Sequence, residues 1–386
     1  MARMGTGPSL QASAAGLLSG LVGFASTFAV VLAGLTAVGA SPAEAASGLM
    51  ALCFAMGIVG ILLSWRLRMP ISVAWSTPGA ALLAATGSTA GFPAAVGAFL
   101  FCGALIVAAG MWKPLGRAIG AIPPPLAAAM LAGVLFGLCL APVRAVAAMP
   151  AAGLSIILVW VLVARFARLW AVPAAVVTAV VAIAATAPPA AGTAAWQWPV
   201  LVMPGLDPAV LLGLGLPLFI VTMASQNLPG LAVLAANGYR PDPLPLLRST
   251  GIGSMIAAPF GAHAVNLAAI TAAMCAGPDA HPDPGRRWWA GVVAGLCYCG
   301  FGILSGPAAS LAAAAPPVLV QAVAGLALLG ALANSLQAAL EAREAREAAL
   351  ICFLVAASGV SAFGIGGAFW GLVAGGLVLG LARFGR

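Results

Sequence analysis

Charge is what this sequence has least of. Only 6% of its 386 residues are Asp, Glu, Lys or Arg, and 63% are hydrophobic, whereas a soluble globular chain carries about 25% charged residues. Too little polar surface remains to cover a soluble globule, so the chain reads as an integral membrane protein. Period-two alternation of polar and apolar residues is missing as well, which excludes a closed β-barrel. The seven cysteines all fall within apolar runs and form neither a CxxC pair nor a Cys/His cluster with metal spacing, so neither metal nor cofactor is expected. No GxxxxGK[ST] loop is present to drive an ATP-powered pump, and no HExxH occurs. An intramembrane enzyme would have to draw its nucleophile and base from one histidine and scattered serines and cysteines.

What is present is a series of long apolar runs, including 14–38, 46–64 and 363–382. Each is long enough to cross about 30 Å of hydrocarbon as a helix. The fold class expected is therefore an all-α integral membrane protein. Cutting at charges, prolines and glycines predicts fourteen spans: 14–37, 46–64, 72–88, 93–111, 123–140, 151–164, 170–187, 207–235, 247–258, 263–277, 288–305, 316–339, 347–362 and 364–383. The first resembles a signal peptide, with Arg3 and the stretch Ala43-Glu44-Ala45, but its run exceeds a cleaved h-region, and it reads as a retained span. Net charge is +8, yet the basic residues are scattered at run ends with no stripe, which argues topology rather than nucleic acid. With both termini placed in the cytoplasm, fifteen of the sixteen Lys and Arg fall inside and only Arg144 outside. Trp65, Trp112, Trp170, Trp196, Trp198, Trp288 and Trp289 sit at run ends as interfacial anchors.

An internal repeat is visible. IPPPLAAAMLAGVLFG at 122–137 is echoed by APPVLVQAVAGLALLG at 315–330, an offset of 193. Seven spans per half is odd, so the second half enters the membrane upside down, a 7+7 inverted repeat of the kind transporters use. The halves are residues 1–190 and 207–386, joined by a periplasmic linker at 191–206. The third and tenth spans, which begin PISVAWSTPG and PFGAHAVNL, each read as a short extended stretch followed by a half-helix. Unpaired backbone at membrane depth is tolerated only inside protein or beside a cavity. Two such half-helices meeting near the midplane would aim their positive N-terminal ends at an anion, which nominates Trp75, Ser76, Thr77, His263, Ala264 and Asn266 as binding residues.

None of the eight acidic residues sits mid-span; all lie in or next to loops. His263 alone combines titration near neutrality with a place in the proposed cavity, so it is the candidate proton carrier. The alternative role is a neutral imidazole that fixes irregular backbone. In the eighth span, SQNLPG at 225–230 puts the amides of Gln226 and Asn227 into an apolar helix that Pro229 and Gly230 weaken. These amides serve either to orient a solute or to bond neighbouring helices.

The stretch FGAHAVNLAAITAAMCAGPDAHPDPGRRWWAG at 260–291 resembles the signature region of the benzoate:proton symporter family. SQNLPGLAVLAANGYRPD at 225–242 and PISVAWSTPGAALL at 70–83 are similar to its other marked segments, and the resemblance covers nearly the whole chain. It implies a secondary transporter that takes benzoate or a related aromatic carboxylate into a bacterial cell with protons, through the inner membrane. That family shares its fold with uracil permeases and anion exchangers. The resemblance therefore implies a core domain of spans 1–4 and 8–11 (14–111 and 207–305) and a gate domain of spans 5–7 and 12–14 (123–187 and 316–383), with a homodimer through the gate. Where nucleobase permeases carry two glutamates, this chain has Gln226 and His263, a departure that suits a carboxylate. The substrate ring is expected against Trp75, Phe260 or the first-span Phe24 and Phe28. Alternatives left open are a nucleobase or other organic-anion permease of the same fold and, more remotely, a channel or an intramembrane enzyme.

Overall fold

The computed structural model describes residues 8–87, 90–111, 123–186, 197–268, 270–314, 316–362 and 365–384. Expectations for Arg3, Trp112, Lys113, Arg117, Trp196, Arg386 and the first part of the linker, 191–196, lie outside the described residues.

Helix α1, Leu10–Ala37, starts where the Ser9 side chain accepts from Ala12 N. Helix α2, Pro42–Leu67, starts at a capping box in which Ser41 and Glu44 satisfy each other's free backbone N–H. It stops at Arg68, whose φ of 53° places it in the left-handed region. The chain then runs through strand β1, Val73–Trp75, into the ten-residue helix α3, Thr77–Thr86, and helix α4, Phe92–Ala109. Next come α5, Pro124–Cys139, α6, Ala141–Ala148, α7, Pro150–Phe166, and α8, Ala171–Thr186. The second half holds α9, Pro208–Ala236, α10, Pro243–Ala257, strand β2, Val265–Leu267, and the short helix α11, Ile270–Ala276. It closes with α12, Trp288–Ile303, α13, Ser305–Ala314, α14, Pro317–Glu341, α15, Arg346–Ala357, and α16, Gly367–Phe384.

Six of these segments are long and apolar enough to cross a membrane: Leu10–Ala37, Pro42–Leu67, Phe92–Ala109, Pro124–Ala148, Pro208–Ala236 and Pro317–Glu341. The protein is thus an all-helical multi-pass membrane protein. Two connections expected as plain loops, after residues 140 and 305, are instead the helices α6 and α13. Pro142 and Pro307 fall in their first turns, where a missing N–H breaks no helical bond. Residues 197–206 of the expected linker are not a free tether. Val200 N donates to Ser47 Oγ at 2.9 Å, Val202 N to the Pro259 carbonyl at 2.7 Å and Gly205 N to the Pro93 carbonyl at 2.7 Å.

Packing sorts the helices. Helix α12 lies between α1 and α2, and α4 lies along α10. The approach is close enough that a methyl group on Gly57 would stand 2.6 Å from the Gly295 carbonyl oxygen. A second set is formed by α5, α14, α15 and α16, while α7 and α8 join α14 through Ala152, Ile156, Ala175, Leu319 and Val323.

Candidate functional site

The two extended stretches cross inside the bundle. Strands β1 and β2 pair antiparallel, with Val73 opposite Leu267, Ala74 opposite Asn266 and Trp75 opposite Val265. So short a ladder leaves outer edges that no lipid can satisfy, and side chains from neighbouring helices take them up. Val265 N donates to Ser254 Oγ of α10 at 2.8 Å, and Leu267 N to Asn227 Oδ1 of α9 at 3.0 Å. On the other stretch, Ser64 of α2 donates its hydroxyl to the Ile71 carbonyl at 2.9 Å.

Asn227 reaches β2 from a π-turn. Helix α9 widens at Leu211–Gly215 and again at Met223–Asn227, each ending two residues before a proline, Pro217 and Pro229. A proline cannot donate to the carbonyl four residues back, and the wider turn re-routes the ladder around that gap. Asn227 and Asn266 are both fully buried. Asn227 Nδ2 donates to Asn266 Oδ1 at 3.1 Å, and Asn266 Nδ2 donates to the Ala264 carbonyl at 3.3 Å. Gln226, its neighbour, is only half-buried.

Directly after β1, Ser76 caps α3 by accepting from Gly79 N at 2.9 Å. Its carbonyl also receives the His263 ring, Nε2 to oxygen at 3.0 Å. A carbonyl only accepts, so Nε2 carries the hydrogen and the neutral ring holds its lone pair on Nδ1. That Nδ1 is buried without a partner. The ring meets Phe99 of α4 edge-on, with centroids 6.4 Å apart at 70°. His263 is therefore enclosed rather than open to a wide vestibule, with its exposure at 0%.

Beside the crossing stands a group of aromatic rings. Phe24 is stacked between Phe28, 5.3 Å away and 2° from parallel, and Phe301, 4.4 Å away at 13°. Trp75 meets Phe24 at 5.9 Å and Tyr298 at 6.2 Å, both tilted. Its indole N–H donates to Thr27 Oγ1 at 2.9 Å, and Thr27 in turn donates to the Gly23 carbonyl at 2.8 Å. A methyl group on Gly23 would lie 2.1 Å from the Tyr298 hydroxyl oxygen, so only glycine admits this ring so close to α1.

The structure thus brings Trp75, Phe24 and Phe28 together, Ser76 with His263, and Asn227 with Asn266, with Thr77 half-buried as the first residue of α3 and Ala264 buried in the approach to β2. Phe260 sits in a 3-10 turn against α2 and α4, its carbonyl held by Ser47 Oγ at 2.9 Å. Gly261, with φ 91°, turns the chain immediately after it, and Phe260 has no ring contact with the Phe24 group among the described residues. Sequence reasoning missed Tyr298, Phe301, Thr27 and Ser254. One signal was available, since Tyr298 is one of only two tyrosines and stands mid-run in an apolar helix, where its hydroxyl needs a polar neighbour. Ser254 gave none, because a helical serine ordinarily bonds its own preceding turn, as Ser254 also does with Thr250 at 2.9 Å.

Comparison with known proteins gives a consistent family. Residues 8–381 match the family model described as benzoate membrane transport protein. The chain is 40% identical over 365 residues to the inner membrane protein YdcO of Escherichia coli K12, covering 94% of this chain and 93% of the relative. It is 32% identical over 379 residues to the benzoate membrane transport protein of Acinetobacter baylyi, covering 95% and 94%. Among solved structures, the transmembrane domain of the cyanobacterial bicarbonate transporter BicA shares the fold with a TM-score of 0.54 at 16% identity, over 95% of this chain and 96% of that one. Murine Slc26a9, an anion transporter in its inward-facing state, aligns with a TM-score of 0.62 at 15% identity, over 95% and 68%.

Proposed function

Because the chain belongs to the benzoate membrane transport protein family, and is a membrane transporter rather than an enzyme, we propose that it carries benzoate or a similar aromatic carboxylate into the bacterial cell together with protons. The observation that supports this most is the meeting of a stacked aromatic group, Phe28, Phe24, Phe301, Trp75 and Tyr298, with the polar start of α3. A planar aromatic acid needs both, a flat apolar surface for the ring and donors for the charge. The site residues are Trp75, Ser76, Thr77, Phe24, Phe28, Gln226, His263 and Ala264, with Asn227 and Asn266 holding β2. Acidic side chains, which would repel the anion, lie in or beside loops.

The proton is assigned to His263. With Nε2–H committed to Ser76, protonation adds a second N–H at Nδ1, which has no acceptor among the described side chains and backbone. A carboxylate arriving there supplies both acceptor and counter-charge, so each ligand raises affinity for the other. Transport proceeds by alternating access: fourteen spans in two inverted halves, both termini cytoplasmic, and a core of α1–α4 and α9–α12 moving against a gate of α5–α8 and α14–α16 that also forms the dimer. Ser64 and Ser254, one on the helix preceding each extended stretch, tie down related positions in the two halves, in keeping with the repeat. The test is counterflow in liposomes. Preloaded benzoate should accelerate uptake of labelled benzoate, and uracil should not; unsaturable flux without counterflow would mean a pore, and counterflow with uracil alone a nucleobase permease.

A further inference from the structure

The connection between α11 and α12, residues 277–287, holds a buried charge that plays no part in the chemistry above. Arg287 is 6% exposed. Its Nε donates to the His281 carbonyl at 2.6 Å, Nη1 to the Ala276 carbonyl at 2.9 Å and Nη2 to the Pro282 carbonyl at 3.3 Å. Removing a guanidinium from water is costly unless its donors are satisfied, so a fork spread over three carbonyls is a specific arrangement. Ala276 ends α11, and the last carbonyls of a helix lack partners within it and favour a cation.

The same connection is tied from several other sides. Gln11 Nε2 of α1 donates to the Asp279 carbonyl at 3.2 Å and Arg286 Nη2 to the carbonyl of Pro8, just before α1, at 2.9 Å, while just beyond the connection Trp289 Nε1 of α12 donates to Ser13 Oγ of α1 at 2.8 Å. Tyr239, between α9 and α10, donates its hydroxyl to the Pro284 carbonyl at 2.8 Å. At the first residue of α12, the Trp288 ring has the Arg68 guanidinium from the end of α2 4.3 Å from its centroid. These ties run to α1, α2, the α9–α10 turn, α11 and α12.

We propose that Arg287 is a positioning residue, the keystone of a clasp that fastens α11, and with it the site strand β2, to α1, α2 and α12 so that the substrate-binding elements move as one body. The proposal rests on the reading that one helix set moves against the other. Lysine carries one nitrogen on a flexible stem and cannot span three carbonyls as the planar fork does.

The experiment compares full-length wild type, Arg287→Lys and the milder Tyr239→Phe, by hydrogen exchange of the purified protein and by benzoate counterflow in liposomes. Arg287→Lys should raise amide exchange in residues 270–286 by about tenfold through local opening, leaving α5 and α14 at wild-type rates. Counterflow should fall by about tenfold while the benzoate Kd changes by less than about threefold, as expected when motion rather than binding is impaired. Tyr239→Phe should open the same segment by about threefold, the loss of one hydrogen bond. Wild-type exchange at 270–286 in both variants, a rise spread evenly over the chain, or local opening with undiminished counterflow would each overturn the clasp. Should the wild type itself fail to transport benzoate, the transport reading falls, and local exchange alone then decides for the clasp or against it.

Discussion

Replacing Asn227 with leucine tests whether the crossing of β1 and β2 is held by side chains, as the geometry indicates. The substitution keeps the approximate volume but removes both interactions with the β2 segment at once, the acceptor for Leu267 N at 3.0 Å and the donor to Asn266 Oδ1 at 3.1 Å, along with a weaker donation to Met223 Sδ at 3.4 Å. Both surviving groups stay in fully buried surroundings. A buried group left without its partner costs about 1–3 kcal/mol, so the variant should lose about 2–6 kcal/mol. Asn266 retains its bond to the Ala264 carbonyl, which places the expectation toward the lower half of that range. Asn227→Asp separates stability from charge. It preserves an acceptor for Leu267 N, and Asn266 can turn its amide to donate only by giving up its bond to the Ala264 carbonyl, so the structural cost should stay below that of leucine, yet a carboxylate stands beside the proposed anion site. In detergent, the leucine variant should melt at least about 3 °C below wild type. The aspartate variant should melt closer to wild type while benzoate counterflow falls by about tenfold or more, from repulsion in a low-dielectric site. A leucine variant with unchanged melting and transport would refute the claim that Asn227 satisfies the edge of β2.

Two further predictions concern the proton and the aromatic group. His263→Gln retains a donor for the Ser76 carbonyl but removes the ring nitrogen that would take up a proton, so benzoate accumulation driven by a pH gradient should collapse while benzoate exchange persists; intact accumulation in flux assays would exclude His263 as the proton carrier. Gly23→Ala sets a methyl group 2.1 Å from the Tyr298 hydroxyl oxygen but 3.3 Å from the ring carbon that bears it. The single variant should be destabilised by about 1–3 kcal/mol through overpacking, and Tyr298→Phe in the same chain should recover most of that loss; a double variant no better than the single one would show that the clash is relieved elsewhere.

Much of this protein was legible in the order of its residues. Hydrophobicity is a sum over neighbours in the chain, so the membrane class and the approximate limits of the apolar runs needed no tertiary information: the run expected at 14–37 is the helix Leu10–Ala37, and that at 46–64 is Pro42–Leu67. The proline-bounded extended stretches before α3 and α11 were likewise visible, because too few residues remain there for a full helix and the flanking prolines and glycines act locally. Partnership across the fold was not. The bond from His263 to Ser76 joins residues 187 apart in sequence, and that from Gln11 to Asp279 joins residues 268 apart. Such pairs depend on which helix faces which, decided by close packing at glycines and by the demand that every buried backbone group find a partner. For the same reason Tyr298 and Phe301, far along the chain from Phe24 and Trp75, were brought against them. Local composition determined what this chain is made to dissolve in; only the tertiary structure decided which of its few polar side chains meet.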